Sequence, residues 1–122
     1  MHALIIDDSR ALRRILGDML RQLGVDVSEA CNGREGLDAL QQGSVPDVVL
    51  VDWNMPEMNG LEFVRAIRST PRFDRLPLMM VTTETELEQM TTALTSGANE
   101  YVMKPFSKEC IADKLTILGV LS

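Results

Sequence analysis

The chain has 122 residues, 45% of them apolar and 25% charged, which suits one compact domain with an ordinary buried core and excludes a disordered segment. A formal net charge of -6 argues against nucleic acid as the main partner, because neutralising phosphates takes a concentrated basic face. The longest apolar runs, Val48 to Val51 and Leu78 to Val81, fall far short of the roughly 18 to 20 residues of a membrane helix, and the opening Met1-His2-Ala3-Leu4 lacks the basic region of a secretion signal, so a cytoplasmic protein without membrane association is expected. Cys31 and Cys110 belong to no C-x-x-C or Cys/His cluster and read as reduced packing residues.

Short apolar runs alternate with helical patterns along the whole chain, without a linker or a repeat, so a single domain over residues 1–122 is expected. Ala3 to Ile6 is a predicted strand that runs into Asp7-Asp8, after which Leu12, Ile15, Leu16, Met19, Leu20 and Leu23 recur at helical spacing. Val25 to Ala30 alternates like a half-exposed strand, and Asn32-Gly33 marks the turn into a helix carrying Leu37 and Leu40. Val48 to Val51, unbroken between Asp47 and Asp52, suits a strand covered on both faces. A loop punctuated by Pro56 and Asn59-Gly60 leads into a helix with Leu61, Val64 and Ile67. The strand Leu78 to Val81 ends in Thr82-Thr83, and the next helix places Leu87, Met90 and Leu94 on one face before closing at Gly97. Tyr101 to Met103 is a last short strand, and Ile111, Leu115 and Leu118 mark the last helix.

Strands alternating with helices predict an α/β fold with a parallel sheet, right-handed crossovers and helices on both faces. The first, third and fourth strands are apolar throughout and belong in the middle, whereas the second and fifth have the polar character of edges. The flavodoxin-like order 2-1-3-4-5 meets those constraints, and in such sheets the functional crevice lies beyond the carboxyl ends of the strands where the order reverses, here between the first and third. Asp7, Asp8 and Asp52 all fall there.

Taken singly, Asp7 or Asp8 caps the following helix and Asp52 is a turn residue. Convergence changes the reading. At about 5 Å and an effective dielectric of about 20, each ionised pair repels by roughly 3 kcal/mol, so the cluster calls for a cation. Oxygen ligands with no histidine nearby point to a hard ion, and Mg2+ that keeps several waters and meets a substrate phosphate matches the set. Lys104, at the end of the fifth strand, is either a surface lysine or a counter-charge over the same crevice. Thr82 is either a β-branched strand residue or a hydroxyl donor to a phosphoryl oxygen.

Asp7-Asp8 after the first strand, Asp52 ending the third, Thr82 ending the fourth and Lys104-Pro105-Phe106 after the fifth resemble the response-regulator receiver domain over essentially the whole chain. Asp52-Trp53-Asn54-Met55-Pro56, Thr82 with Glu84, and Tyr101 to Lys104 are most similar to its single-domain chemotaxis members. The resemblance implies a two-component signalling protein, not a turnover enzyme, in which Asp52 takes a phosphoryl group from a phosphohistidine on a sensor histidine kinase or from a small phosphodonor. It implies Mg2+ held by Asp8, Asp52 and the backbone carbonyl of Asn54, with Asp7 acting through bound water, and Lys104 neutralising the transferred group. Asn54 and Glu84 would flank the path of the water that hydrolyses the phosphate. Thr82 and Tyr101 would form the switch, Trp53 would be an exposed-rim aromatic, and Lys104-Pro105 would be a cis peptide.

Glu84, Glu86, Glu88 and Glu100 lie in a stretch without Lys or Arg, so the fourth helix is expected to present an acidic face. Chemotaxis members of the family carry basic residues near the start of that helix, which counts against a flagellar-motor partner here. With the chain ending at Ser122, output is expected through an unidentified partner that reads the surface of the fourth helix, fifth strand and fifth helix of a monomer. A phosphate sink, a phosphorelay intermediate and a domain excised from a longer regulator are the alternatives. A dehalogenase-type phosphatase needs Asp-x-Asp and a cap, and a flavin module needs a Ser/Thr/Gly phosphate loop where this chain has Asp7-Asp8.

Overall fold

The computed structural model describes residues 1–83 and 89–121. Strands β1 (His2–Ile6), β2 (Asp26–Ala30), β3 (Val48–Asp52), β4 (Leu78–Thr82) and β5 (Glu100–Met103) alternate with helices α1 (Arg10–Gln22), α2 (Gly33–Gln42), α3 (Gly60–Arg68), α4 (Met90–Ser96) and α5 (Lys108–Ile117). A 3-10 turn at Pro71–Phe73 follows α3. The strands form one sheet in the order β2-β1-β3-β4-β5, and every pairing is parallel, as the polarity of the strands anticipates. No described helix is long and apolar enough to cross a membrane.

The sheet separates two apolar layers. Leu16 and Leu20 of α1 and Ile111 and Leu115 of α5 pack with Ala3, Ile5, Val48, Leu50, Met79 and Val81 on one face. On the other, Leu40 of α2, Phe63, Val64 and Ile67 of α3, and Met90 and Ala93 of α4 pack with Leu4, Ile6, Val49, Val51, Leu78 and Met80. Alternate residues of β1, β3 and β4 therefore enter opposite layers, which is why their sequences are apolar without a break. Every residue of β3 and of β4 is buried, whereas β2 has three exposed positions of five and carries the pattern of an edge.

Three expectations need correction. Ile15 has the spacing of a core residue but is 49% exposed, because the buried stripe of α1 runs through Leu16, Gly17 and Leu20. Leu94 is likewise exposed, with Met90 and Ala93 forming the inner face of α4. The cap of α1 is neither of the two aspartates but Ser9, whose hydroxyl accepts from the backbone N–H of Leu12. Of the acidic stretch, Glu100 lies on β5 and pairs with Lys114 at 3.0 Å, and α4 as described, Met90–Ser96, contains no charged residue. Glu84, Glu86, Leu87 and Glu88, which carry the rest of that expectation, lie outside the described residues.

Gly60 opens α3 at a close approach of backbone to backbone. A Cβ there would lie 2.5 Å from Met80 Cε, 3.0 Å from the Trp53 Cα and 3.1 Å from the Asp52 carbonyl oxygen. The methionine can yield, but the two backbone atoms belong to the end of β3 and cannot. Gly60→Ala should therefore destabilise the domain by about 1 to 3 kcal/mol, the usual cost of overpacking. Chemical denaturation of the two proteins, read by circular dichroism, checks it.

Candidate functional site

The acidic crevice is built from strand ends. The β1–β2 ladder continues one residue past Ile6, the Asp7 N–H donating to the Ala30 carbonyl at 3.2 Å. Asp7 is thereby fixed before its side chain is considered. Its Oδ1 then accepts from the Ser9 N–H at 2.8 Å, and its carbonyl accepts from the Arg13 guanidinium at 2.6 Å. Arg13 in turn pairs with Glu29 of β2 at 3.1 Å.

Asp52 is the last residue of β3, opposite Val81 of β4, and is buried. Beyond it the chain stays tied to the sheet, the Trp53 N–H donating to the Val81 carbonyl at 3.0 Å and the Gly60 N–H to the Trp53 carbonyl at 2.8 Å. Between those ties the loop makes a tight turn in which the Met58 N–H reaches the Pro56 carbonyl at 2.7 Å, with Glu57 at φ 68°. A non-glycine residue in that region is strained, and such turns persist where their surroundings hold them.

Asp7, Asp8 and Asp52 each offer a carboxylate oxygen within 4.8 Å of the others, the group expected from strand polarity. Their environments differ: Asp7 and Asp52 are buried and Asp8 is exposed. Among the described residues, Asp7 Oδ2 is the one buried side-chain oxygen or nitrogen with no hydrogen-bond partner. Burial raises the pKa of Asp7, against the opposing pull of the Ser9 N–H and of the Lys104 charge, and the neighbouring Asp8 raises it further. An orphaned buried oxygen facing two more carboxylates, with no nitrogen or sulfur ligand in the group, has the donor chemistry of a hard-cation site.

Lys104 closes the crevice from the far side. Its N–H donates to the Thr82 carbonyl at 2.7 Å, which extends the β4–β5 pairing, and its ammonium reaches Asp52 Oδ1 at 3.3 Å. The following bond to Pro105 is cis, as expected. Thr82 is fully buried, and its hydroxyl donates to the carbonyl of its neighbour Thr83 at 3.2 Å. Tyr101 lies half-buried against the α2–α3–α4 layer, its ring 5.4 Å beneath the Lys114 ammonium. Asn54 is exposed on the loop after Asp52, and Glu84 lies outside the described residues.

Trp53 departs from expectation. It is 8% exposed and belongs to the apolar layer, because the ties to Val81 and Gly60 hold the chain in the sheet one residue beyond Asp52. The braces of Asp7, Ser9 and Arg13, were not singled out from the sequence. Ser9 had a signal, a hydroxyl residue directly before a helical pattern. Arg13 had none, because it grips a backbone carbonyl.

The family model described as response regulator receiver domain matches residues 3–116. Chemotaxis protein CheY1 of Helicobacter pylori is 42% identical over 119 residues, covering 97% of this chain and 96% of its own length. The chemotaxis protein CheY homolog of Campylobacter jejuni is 43% identical over 121 residues, covering 98% and 93%. Among solved structures, chemotaxis protein CheY4 of Vibrio cholerae superposes with a TM-score of 0.88 at 35% identity, covering 96% of this chain and 97% of that one.

The orphaned oxygen of Asp7 makes its charge costly. Asp7→Asn should raise stability in metal-free neutral buffer by about 1 to 3 kcal/mol, the range for an unsatisfied buried polar group. Because the folded state raises the Asp7 pKa, ionisation at that position opposes folding as pH rises above the unfolded carboxylate value. The advantage of the variant should shrink as pH falls towards that range, which melting curves of both proteins from neutral to acid pH would reveal.

Proposed function

The chain belongs to the response regulator receiver family, and on that premise we propose that Asp52 accepts a phosphoryl group from the phosphohistidine of a sensor histidine kinase and that a partner protein reads the result. The observation that supports this most directly is the Lys104 ammonium at 3.3 Å from Asp52 Oδ1, in a crevice where Asp7 and Asp8 add two further carboxylates. Two-component signalling is the role we assign, of a chemotaxis kind as the relatives' names suggest, in one cytoplasmic domain spanning residues 1–122.

In the transfer, a carboxylate oxygen of Asp52 forms a bond to phosphorus as the phosphorus–nitrogen bond of the donor breaks. The imidazole, protonated on its other nitrogen, leaves as the neutral ring, and the product is an acyl phosphate. Asp52 presents its oxygens from a strand end that hydrogen bonds fix on both sides, so orientation is set before the donor arrives. Lys104 supplies positive charge where the transferred group comes to rest, which is most of what phosphoryl transfer asks of a protein. Asp8, Asp52 and the Asn54 carbonyl would hold Mg2+, with Asp7 acting through bound water. When bound, the ion adds neutralising charge at the phosphoryl oxygens and relieves the repulsion among the carboxylates.

The Thr82 hydroxyl would exchange its bond to the Thr83 carbonyl for a phosphoryl oxygen, and Tyr101 would move into the space that opens beside β5. Asn54, exposed beside the site, would tune access of the hydrolytic water, with Glu84 as its counterpart. The surface read by the partner is that of α4, β5 and α5, and the signalling unit is a monomer.

Incubation with a labelled small phosphodonor tests the reading. Label should be retained by the protein in Mg2+, be lost with EDTA and be absent from Asp52→Asn. Lys104→Ala should slow labelling on the order of a hundredfold, the effect of removing one fixed electrostatic stabiliser. Undiminished label on Asp52→Asn, or free phosphate released without a labelled protein, would exclude Asp52 as the acceptor.

A further inference from the structure

The Arg68 guanidinium lies outside the acidic crevice and makes four charge-assisted hydrogen bonds. Arg68 ends α3. Its Nε donates to the Gly97 carbonyl at 2.9 Å and Nη1 to the Phe73 carbonyl at 2.8 Å. Nη2 reaches the Leu76 carbonyl at 2.7 Å and Asn99 Oδ1 at 2.8 Å. The same Asn99 oxygen accepts from the N–H of Leu78, the first residue of β4, at 2.8 Å. One planar cation thus joins the end of α3, the turn at Pro71–Phe73, the approach to β4 and the connection from α4 to β5. A lysine cannot reproduce that fork, since its donors radiate from a single nitrogen.

Gly97 is seated on this residue. Its φ is 128°, and a Cβ at Gly97 would lie 2.5 Å from Arg68 Cγ, so the backbone that ends α4 rests against the arginine stem. The other end of α4 is held differently. Gln89, the residue before the helix, makes no side-chain capping bond, and the helix buries only Met90 and Ala93 over its seven residues. Displacing Gly97 and Asn99 would strip partners from a partly buried guanidinium, whereas among the described residues no comparable set of bonds holds the first turn of α4.

We propose that Arg68 is a positioning residue that serves as the fixed pivot of the switch. On this inference, which rests on the phosphoryl-switch reading above, activation moves the first turn of α4 while Gly97, Ala98 and Asn99 stay seated on the guanidinium. Because Asn99 directly precedes β5, the same seat fixes where Glu100 and Tyr101 begin, so Tyr101 moves against a stationary strand end. Arg68 takes no part in the chemistry at Asp52.

The full chain, with Mg2+ and beryllofluoride as phosphoryl mimic, tests this by amide NMR, with fluorine NMR reporting mimic binding. In the wild type, shift changes at Gly97, Ala98 and Asn99 should be at least about threefold smaller than those at Met90 to Thr92, as a hinge requires. In Arg68→Lys the Gly97 to Asn99 changes should grow to match those of Met90, while the affinity for the mimic stays within about threefold because the crevice is untouched. Wild-type changes at Gly97 to Asn99 as large as those at Met90 would overturn the pivot without any variant. So would an unchanged pattern in a folded Arg68→Lys. Failure of the wild type to bind the mimic, with Asp7, Asp8 and Trp53 amides silent, would instead remove the switch reading itself.

Discussion

Three carboxylates with oxygens within 4.8 Å of one another repel, and the fold has to hold them together against that repulsion. At such a separation each ionised pair costs roughly 3 kcal/mol at an effective dielectric of about 20, comparable to a good part of a domain's stability. Side-chain contacts alone would let the group splay. The means of restraint is backbone. Asp7 is held by the ladder to Ala30, Asp52 by the register with Val81, and the Lys104 backbone by the Thr82 carbonyl at 2.7 Å. The central strands can exert that restraint because both of their faces are packed, so a shift along β3 would drag Val49 and Val51 out of one layer and Val48 and Leu50 out of the other.

The chain order serves the same end. Since β1 and β3 are adjacent but α1, β2 and α2 intervene between them in sequence, the connections from β1 and from β3 leave the sheet in different directions and open a crevice at their carboxyl ends. The Asp7-Asp8 pair and Asp52 enter it from opposite sides. β4 and β5 bring Thr82 and Lys104 to the same level, because parallel strands in register place all their ends together. The Lys104 ammonium, from beyond the edge strand β5, is then within reach of Asp52 without belonging to either strand that bears the acids.

What could be read from the sequence follows from which interactions leave a periodic trace. The strand order was legible because Val48 to Val51 and Leu78 to Val81 are apolar on both faces while Asp26 to Ala30 is not, and the sheet has that order. Asp7, Asp8 and Asp52 were legible because topology alone brings those strand ends together. Trp53 was misplaced because adjacency to Asp52 says nothing about whether the chain has left the sheet, and two backbone bonds decide that it has not. Ile15 and Leu94 show the limit of helical spacing, which accepts positions at the margin of an apolar stripe that the packed helix turns outward. Arg13 and Arg68 were invisible for another reason: their acceptors are mostly main-chain carbonyls, which every residue supplies, and Gly97 is 29 positions from Arg68.

The bonds around the site also differ in how easily they can be exchanged. Asp7 is gripped at 2.8 Å by the Ser9 N–H and at 2.6 Å through its carbonyl by Arg13, and both partners are anchored in α1. Lys104 reaches Asp52 at 3.3 Å, beyond the best range for a charged pair, and the Thr82 hydroxyl spends its donor at 3.2 Å on the adjacent residue's carbonyl. Under the proposed function, a bound phosphoryl group would add acceptor oxygens to the crevice and compete for those two loosely committed donors while leaving the Asp7 braces intact. Turning a population from about 1:99 to 99:1 takes on the order of 5.5 kcal/mol of differential interaction. Two hydrogen bonds to a charged group, at about 1.5 to 3 kcal/mol each, are of that size. On the proposed phosphoryl switch the response would then fall on Thr82 and Lys104, the two residues that connect the crevice to β4 and β5, and so on the side of the sheet that carries α4 and Tyr101 rather than on the side that holds Asp7.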